Sequence, residues 1–366
     1  MTSAPPRAAR RLPSGLADGM WKLAGAIATP VVPQDYLDMF APLRAGAELR
    51  GRLVSIQPET ADAATIRIQP GRSWRGHTPG QYIRIGIDID GVRHWRAYSL
   101  TSLRGEPDGT ITITPKAIPG GLVSNHLVRD ALPGTLVMLD QAVGDFVLPP
   151  IPPEKILFIT GGSGITPVMG MLRNLPDGTD LDIVLLHSAP RPEDVVFGPE
   201  LRSRGAAGQL DLRVRHTDTD GMLDLADLDA TVPDWREREA WVCGPTGLLD
   251  AAELHWAAND VTDKLHVERF RPTIIEGGEG GEITLLNSRL TIDADGSTPI
   301  LDAAEDAGAL MRSGCRMGIC FGCVVTMRQG AVRDLRTGVI TVAEPGDELP
   351  IQTCINAVAG SCDLEI

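Results

Sequence analysis

The stretch Cys315-Arg316-Met317-Gly318-Ile319-Cys320-Phe321-Gly322-Cys323 decides how the last part of this chain folds. Three thiols stand at the spacing C-x4-C-x2-C, and a fourth, Cys354, follows at a distance. Four thiolates so placed can converge on a two-iron, two-sulfide cluster if the chain wraps round it. Gly314, Gly318 and Gly322 allow the positive φ angles and close backbone approach that such a loop needs. Its released N–H groups can then point at the sulfurs and tune the centre. A structural zinc site is the competing reading, but those sites more often use two paired C-x2-C knuckles. Five of the six cysteines lie in the last 52 residues. A secreted disulfide scaffold would spread them through a short chain, so the clustering points to a local metal site. Cys362 falls outside the pattern and reads as a small buried apolar residue.

Working outward, residues 283–366 read as a third compact unit: two strands, a helix over 299–311, the cysteine loop, a strand and a final segment holding Cys354. Upstream, residues 273–282 include Glu276-Gly277-Gly278-Glu279-Gly280-Gly281-Glu282, which reads as a charged linker. Before it, apolar strands at 156–160, 181–187, 212–216 and 240–242 alternate with helical stretches at 167–174, 197–204 and 246–258. That alternation predicts a parallel sheet covered on both faces, over residues 153–272. The stiff segment Pro149-Pro150-Ile151-Pro152-Pro153 marks its upstream border. Residues 48–152 read instead as short strands at 49–56, 64–69, 81–89, 93–100 and 110–115, separated by turns such as Asp90-Gly91 and Asp108-Gly109, which predicts a small antiparallel barrel. Residues 1–47 form an extension rich in Ala, Pro and Arg, read as a partly disordered tail or a docking arm.

Lys and Arg total 34 against 48 Asp and Glu, a formal charge of −14, which disfavours nucleic acid as a partner. No run approaches the length of apolar sequence that a membrane span needs. The N-terminus has no convincing cleavage site, so the expected compartment is the cytoplasm, at the membrane face if the arm docks there.

Three further motifs sit at the ends of predicted strands. Arg96-Ala97-Tyr98-Ser99 closes a barrel strand, and an arginine and a tyrosine there are by themselves an ordinary barrel-surface pair. Gly120-Gly121-Leu122-Val123-Ser124-Asn125 opens a short helix, where free N–H groups suit an anion, although a simple helix cap would look the same. Gly161-Gly162-Ser163-Gly164-Ile165-Thr166-Pro167 follows a buried strand and precedes a helix, the context in which a glycine-rich turn approaches a pyrophosphate.

These motifs, with the cysteines, bring a resemblance into view. The last domain is similar to plant-type ferredoxins over residues 283–366, and the rest resembles the ferredoxin–NADP reductase superfamily. The resemblance implies a multidomain fold: an antiparallel β-barrel flavin domain, an α/β parallel-sheet nicotinamide domain and an α+β, ferredoxin-like (β-grasp) 2Fe–2S domain. It implies that Arg96 pairs with a flavin phosphate, Tyr98 stacks on the isoalloxazine and Ser99 hydrogen-bonds near its reactive nitrogen. It places Gly120, Gly121, Leu122, Val123 and Ser124 at a second flavin-phosphate site, and Gly161, Gly162, Gly164, Ile165 and Thr166 at the coenzyme pyrophosphate. Val242-Cys243-Gly244-Pro245-Thr246 resembles the superfamily's C-G-P motif, so Cys243, Gly244 and Pro245 fall near the nicotinamide, with a plain strand-end thiol as the alternative for Cys243. Phe270, in Glu268-Arg269-Phe270, falls at the flavin face. Ser188 and Arg191, with help from Arg215, are placed to hold a 2′-phosphate, which favours NADPH over NADH, although surface arginines are common. FAD is favoured over FMN, and Cys315, Cys320, Cys323 and Cys354 are the implied metal ligands. The turn 140–146 keeps only Gly144 and Phe146 of the superfamily's Gly-Pro-x-Gly-x-Phe pattern.

The domain order resembles reductases of bacterial oxygenase systems of the phthalate-dioxygenase-reductase type. The expected function is therefore an NAD(P)H:acceptor oxidoreductase. Arg7, Arg10 and Arg11 joined to Trp21, Leu23, Ile27 and Val31 suit a membrane surface. The arm also looks like the leader of actinobacterial reductases that serve fatty-acyl desaturases. The first expectation for the acceptor is a membrane-bound di-iron desaturase or hydroxylase. A Rieske-type ring-hydroxylating oxygenase is the alternative, and an iron–sulfur redox sensor is the alternative of another class.

Overall fold

In the computed structural model the structure describes residues 40–176, 178, 180–270, 278–314, 316–318 and 321–366. The extension through residue 39, residues 273–277 of the expected linker, and Cys315 and Cys320 of the expected ligand set lie outside the described residues.

Strands β1 (Arg50–Pro58), β2 (Ala64–Pro70), β3 (Tyr82–Ile89), β4 (Val92–Ser99), β5 (Ile111–Ile113) and β6 (Leu136–Leu139) form an antiparallel sheet in the order β4-β3-β6-β1-β2-β5. Alternation sets their faces: every second residue of β2 is buried, which puts Ile66 and Ile68 into the core with Ile83, Ile85 and Leu100. Asp90 and Gly91 join β3 to β4 with φ of 51° and 81°, the two left-handed residues that a tight hairpin needs. A bridge between Leu100 and Ile113, with Thr101 N–H donating to Thr112 C=O at 2.9 Å, joins the sheet's two edges and closes the barrel. Strand β6 was not expected from the sequence. Pro133-Gly134 marks the turn before it, but the strand is only four residues long and its pairing with β1 and β3 is long-range.

The second sheet is parallel: β7 (Lys155–Gly161), β8 (Asp182–Ala189), β9 (Asp211–His216), β10 (Glu239–Cys243) and β11 (Leu265–Glu268), in the order β11-β10-β7-β8-β9. Six of the seven residues of β7 are buried, as expected for a strand covered on both faces. Helix α1 (Leu122–Asn125) belongs to the barrel, whereas α2 (Ile165–Arg173), α3 (Gly198–Ala206) and α4 (Thr246–Ala258) cover the parallel sheet. Helix α2 also docks on the barrel. A Cβ on Gly170 would lie 2.3 Å from Leu100 O, so only glycine permits the approach. Arg173 donates to Thr101 C=O at 2.7 Å, and Asn174 to Ser102 C=O at 3.0 Å. This packing holds the end of β4 against the C-terminal half of α2.

The third sheet runs β13-β12-β17-β14-β15, with β16 on β14: β12 (Gly278–Leu285), β13 (Leu290–Gly296), β14 (Val324–Asp334), β15 (Ile340–Ala343), β16 (Leu349–Gln352) and β17 (Asn356–Leu364). Helix α5 (Ile300–Asp306) packs Ile300 and Ala304 on its core. Two sequence expectations change here. Residues 278–282, read as linker, belong to β12, because they pair with β13. The helix expected over 299–311 ends at Asp306, since Gly308 takes φ of 84° and Leu310 is left exposed. Cys362 is buried in the core, and burial pushes its thiol up to about 12.

Candidate functional site

The three units meet around one cavity of about 510 Å³. The barrel contributes Tyr82, Arg96, Tyr98, Ser99, Gly121 and Ser124, among others; the parallel-sheet unit contributes Ser163, Thr166, Glu268 and Phe270. The third unit contributes Pro299, Asp302, Arg316, Met317 and Cys354. Such a volume is ordinary for a pocket that holds an organic cofactor.

Each motif residue reaches this place through the fold. Strand β4 alternates its side chains, so Arg96 and Tyr98 share a face, while Ser99 follows at the strand end. The Arg96 guanidinium donates to Trp95 C=O at 2.8 Å and has no carboxylate within ion-pair distance among the described residues. Burial, and then the charge of Arg316, work against its cation. A half-buried cation without a counter-ion is a site made for an anion. Burial also raises the Tyr98 phenol, which therefore stays neutral. Ser99 Oγ is buried without a hydrogen-bond partner among the described residues. Gly120 takes φ of 71° and a Cβ there would meet open space, whereas Gly121 must be small because Ile118 and Ser124 crowd it. Ser124 and Asn125 also bond the local backbone: Asn125 Nδ2 donates to Gly121 C=O at 2.7 Å.

The glycine-rich turn and the end of β10 come together. A Cβ on Gly164 would stand 2.1 Å from Cys243 O, and one on Gly161 would meet the Pro245 ring at 2.7 Å. Gly162, at φ of 53°, faces open space. Ile165 is in the core, and Thr166 Oγ1 donates to Ser163 C=O at 2.9 Å. Cys243 lies between Thr160 of β7 and Glu268 of β11. Burial first, and then Glu268, hold its thiol well above the usual range, so it is a neutral thiol. Glu268 opens onto the cavity, but its Oε2 is closed from water without a partner, and burial pushes its carboxyl up to about 8. The sequence analysis passed over Glu268 and over Arg316 and Asp302. Glu268 had a signal, two residues before Phe270; the other two become neighbours of Arg96 only in the fold.

At the third unit, Cys323 Sγ and Cys354 Sγ stand 3.2 Å apart, and Thr353 ties the two segments by donating both N–H and Oγ1 to Cys323 C=O. Gln352 Nε2 donates to Gly318 C=O at 2.9 Å. Gly318 takes φ of 76°, and Arg316 and Phe321 take φ of 58° and 56°. A loop with this much left-handed backbone and converging thiols suits a metal–sulfur centre.

Ser188 and Arg191 lie apart from the junction. Ser188 lines a smaller cavity of about 220 Å³ with His187, Arg213, Arg215 and Asp220, and its Oγ has no partner. Arg191 does not line that cavity. It is exposed, donates to Asp194 at 3.1 Å, and has Glu193 and Asp218 at 3.8 Å. Arg215 donates to the backbone carbonyls of Gly221 and Asp220.

Comparison with known proteins agrees with this geometry. Residues 51–147 match the oxidoreductase FAD-binding domain family, and residues 283–357 match the 2Fe-2S iron-sulfur cluster binding domain family. An NADPH oxidoreductase of Mycobacterium tuberculosis is 46% identical over 94% of this chain and 91% of its own length. A glycine betaine monooxygenase reductase subunit of Pseudomonas aeruginosa is 30% identical over 75% of this chain and 84% of its own. The solved structure of phthalate dioxygenase reductase superposes with a TM-score of 0.60 at 20% identity, covering 87% of this chain and 97% of that one. The cavity, the Arg96 cation with no carboxylate paired to it among the described residues, the unpaired Ser99 Oγ and the close Cys323 and Cys354 thiols fit a flavin and an iron–sulfur cluster.

Proposed function

We propose a specific acceptor and specific residue roles for a chain that belongs to the FAD- and NAD(P)H-binding ferredoxin-reductase superfamily, in the branch with a C-terminal 2Fe-2S domain. It is an NAD(P)H-dependent oxidoreductase that uses FAD and a 2Fe-2S cluster to deliver electrons to a partner oxygenase system. The finer reading is that this partner is a Rieske-type ring-hydroxylating oxygenase, in preference to a di-iron desaturase. A 30% identical relative named as a monooxygenase reductase subunit supports an oxygenase. The desaturase reading drew on the N-terminal arm, which lies outside the described residues, and among those residues no helix is long and apolar enough to cross a membrane.

The observation that carries the mechanism is a cavity walled by residues of all three units. When bound, the flavin takes hydride from the nicotinamide and passes electrons on singly, which the cluster requires. The protein's part is binding, orientation and charge. Arg96 holds a flavin phosphate in its planar fork, and Gly120 to Ser124 offer backbone N–H groups to a second. Tyr98 and Phe270 line the ring site, and Ser99 Oγ donates to the ring's reactive edge. Gly161, Gly162, Gly164, Ile165 and Thr166 form the turn that takes the coenzyme pyrophosphate. Cys243, Gly244 and Pro245 bound the nicotinamide, with Cys243 as a neutral thiol. Glu268 keeps a proton at neutral pH beside this site. Ser188, Arg215 and Arg191 read the adenosine phosphate. Cys315, Cys320, Cys323 and Cys354 hold the cluster.

The test compares electron delivery. The purified protein, charged with NADPH, is mixed with the oxygenase component of a Rieske-type system and, separately, with a di-iron desaturase in vesicles. Turnover with the former and none with the latter supports the reading; the reverse result overturns it.

A further inference from the structure

The third unit brings more to the junction than cysteine. Arg316 follows Cys315 in the chain, and its side chain is only 19% exposed. Asp302 and Glu305 stand three apart on α5, hence on one helix face, and both grip it. Nη1 donates to Asp302 Oδ1 at 2.5 Å, and Nη2 donates to Glu305 Oε1 at 2.5 Å. Arg316 Nε is buried with no partner. Helix α5 is bonded in turn to the Cys354 segment, with Leu301 N–H donating to Thr353 C=O at 3.0 Å. Asp302 and Arg316 line the same cavity as Arg96 of the barrel. The Arg96 cation feels all three groups, its own unit offering it no carboxylate. Across the boundary Arg316 repels the Arg96 cation while Glu305 and Asp302 attract it, so the two carboxylates that grip Arg316 also offset its charge opposite Arg96.

From this arrangement we infer that Arg316, gripped by Asp302 and Glu305, is a positioning residue that seats the cysteine loop against the flavin cavity opposite Arg96. The ionic group then fixes the cysteine-loop wall of the cavity to α5, which carries Asp302 to the same cavity. The inference rests on the cofactor assignment made above. The planar fork fixes both carboxylates in one orientation, whereas an ammonium, as Lys155 shows with Asp234 and Glu237, can meet two carboxylates without fixing a plane. Loss of Arg316 leaves two neighbouring carboxylates facing a poorly solvated cavity, and their repulsion loosens the loop.

The experiment uses the full-length holoprotein with Arg316→Gln, Arg316→Lys and Glu305→Gln. Anaerobic stopped-flow with NADPH follows flavin bleaching and cluster bleaching as separate phases, and hydrogen exchange follows residues 299–306. Flavin bleaching should keep its rate. The cluster phase should slow by about tenfold in Arg316→Gln, the usual scale for breaking a coupled ion set, and by less in Arg316→Lys. Exchange over 299–306 should quicken in parallel. Iron and sulfide content is measured first; if Arg316→Gln does not retain the cluster, Glu305→Gln gives the same test at a distance from the ligands. Unchanged cluster phases and unchanged exchange in cluster-loaded variants overturn the inference. Absence of flavin or cluster bands from the unaltered protein overturns the assignment beneath it.

Discussion

The junction cavity and the cleft beside Ser188 differ in what their charged groups already hold. At the junction, among the described residues, Arg96 has no paired carboxylate and Ser99 Oγ and Glu268 Oε2 have no hydrogen-bond partner. Beside Ser188, Arg191 is already surrounded by Asp194, Glu193 and Asp218. Buried polar groups left unpaired are costly, and an anionic cofactor at the junction would offset that cost at Arg96 and Ser99. An exposed arginine among three carboxylates has far less to gain from one more anion. On the proposed assignments, the difference predicts that cofactor retention depends on the junction and that coenzyme preference is a weaker, shared property of the outer cleft.

The comparison can be broken most sharply at the cluster. Cys320→Ser should abolish the cluster and all electron delivery to a ferredoxin-dependent acceptor, while NADPH still bleaches the flavin. Stopped-flow spectra check this, and loss of flavin bleaching with flavin still bound would sink the separation of the two tasks. Next in size, Arg96→Ala should weaken flavin binding by about ten- to a hundredfold, the scale of a lost charge-assisted contact of about 1.5–3 kcal/mol. Fluorescence titration of the flavin-free protein measures it, and an unchanged affinity would remove Arg96 from the phosphate site.

Glu268 sharpens the comparison through pH. Its folded pKa, about 8, stands above its ordinary value of 4.5, because burial disfavours the carboxylate. Between those values the folded protein holds a proton that the unfolded chain has lost. The contribution to stability is therefore fully present below 4.5 and is lost as pH rises through about 8. Glu268→Gln should flatten that decline, so thermal melts of variant and parent should diverge toward pH 8 and converge at acid pH. Parallel curves would mean that the carboxyl is solvated. The smallest effect belongs to Arg191→Ala. It should cost less than about tenfold in NADPH affinity, and less still for NADH, since its carboxylate neighbours already compete for it. A loss as large as that of Arg96→Ala would erase the contrast.

What could be read in the sequence was local. Asp90-Gly91 announced a hairpin because both residues tolerate left-handed backbone, and the hairpin is there. The fully apolar run of β7 followed by glycines announced a parallel strand ending in a turn. Strand β6, by contrast, is held by partners far away in the chain, and α5 stops at a glycine that the apolar pattern ran past. The site divides in the same way. Arg96, Tyr98, Ser99 and the cysteine spacing show themselves as motifs. Asp302 and Arg316 carry no motif that points to a flavin cavity, because only the packing of the third unit brings them to the one that Arg96 lines. Asp218 reaches Arg191 only because β9 lies beside β8.

The central claim is that electrons pass from coenzyme to cluster through the one cavity where the three units meet. Anaerobic rapid mixing of the holoprotein with one equivalent of NADPH, recorded across the flavin and iron–sulfur bands, tests it most directly. Flavin bleaching should come first and be followed, within the same molecule and at a rate independent of protein concentration, by one-electron bleaching of the cluster. A cluster that stays oxidised, or that is reduced at a rate proportional to protein concentration, would contradict a hand-over inside that cavity.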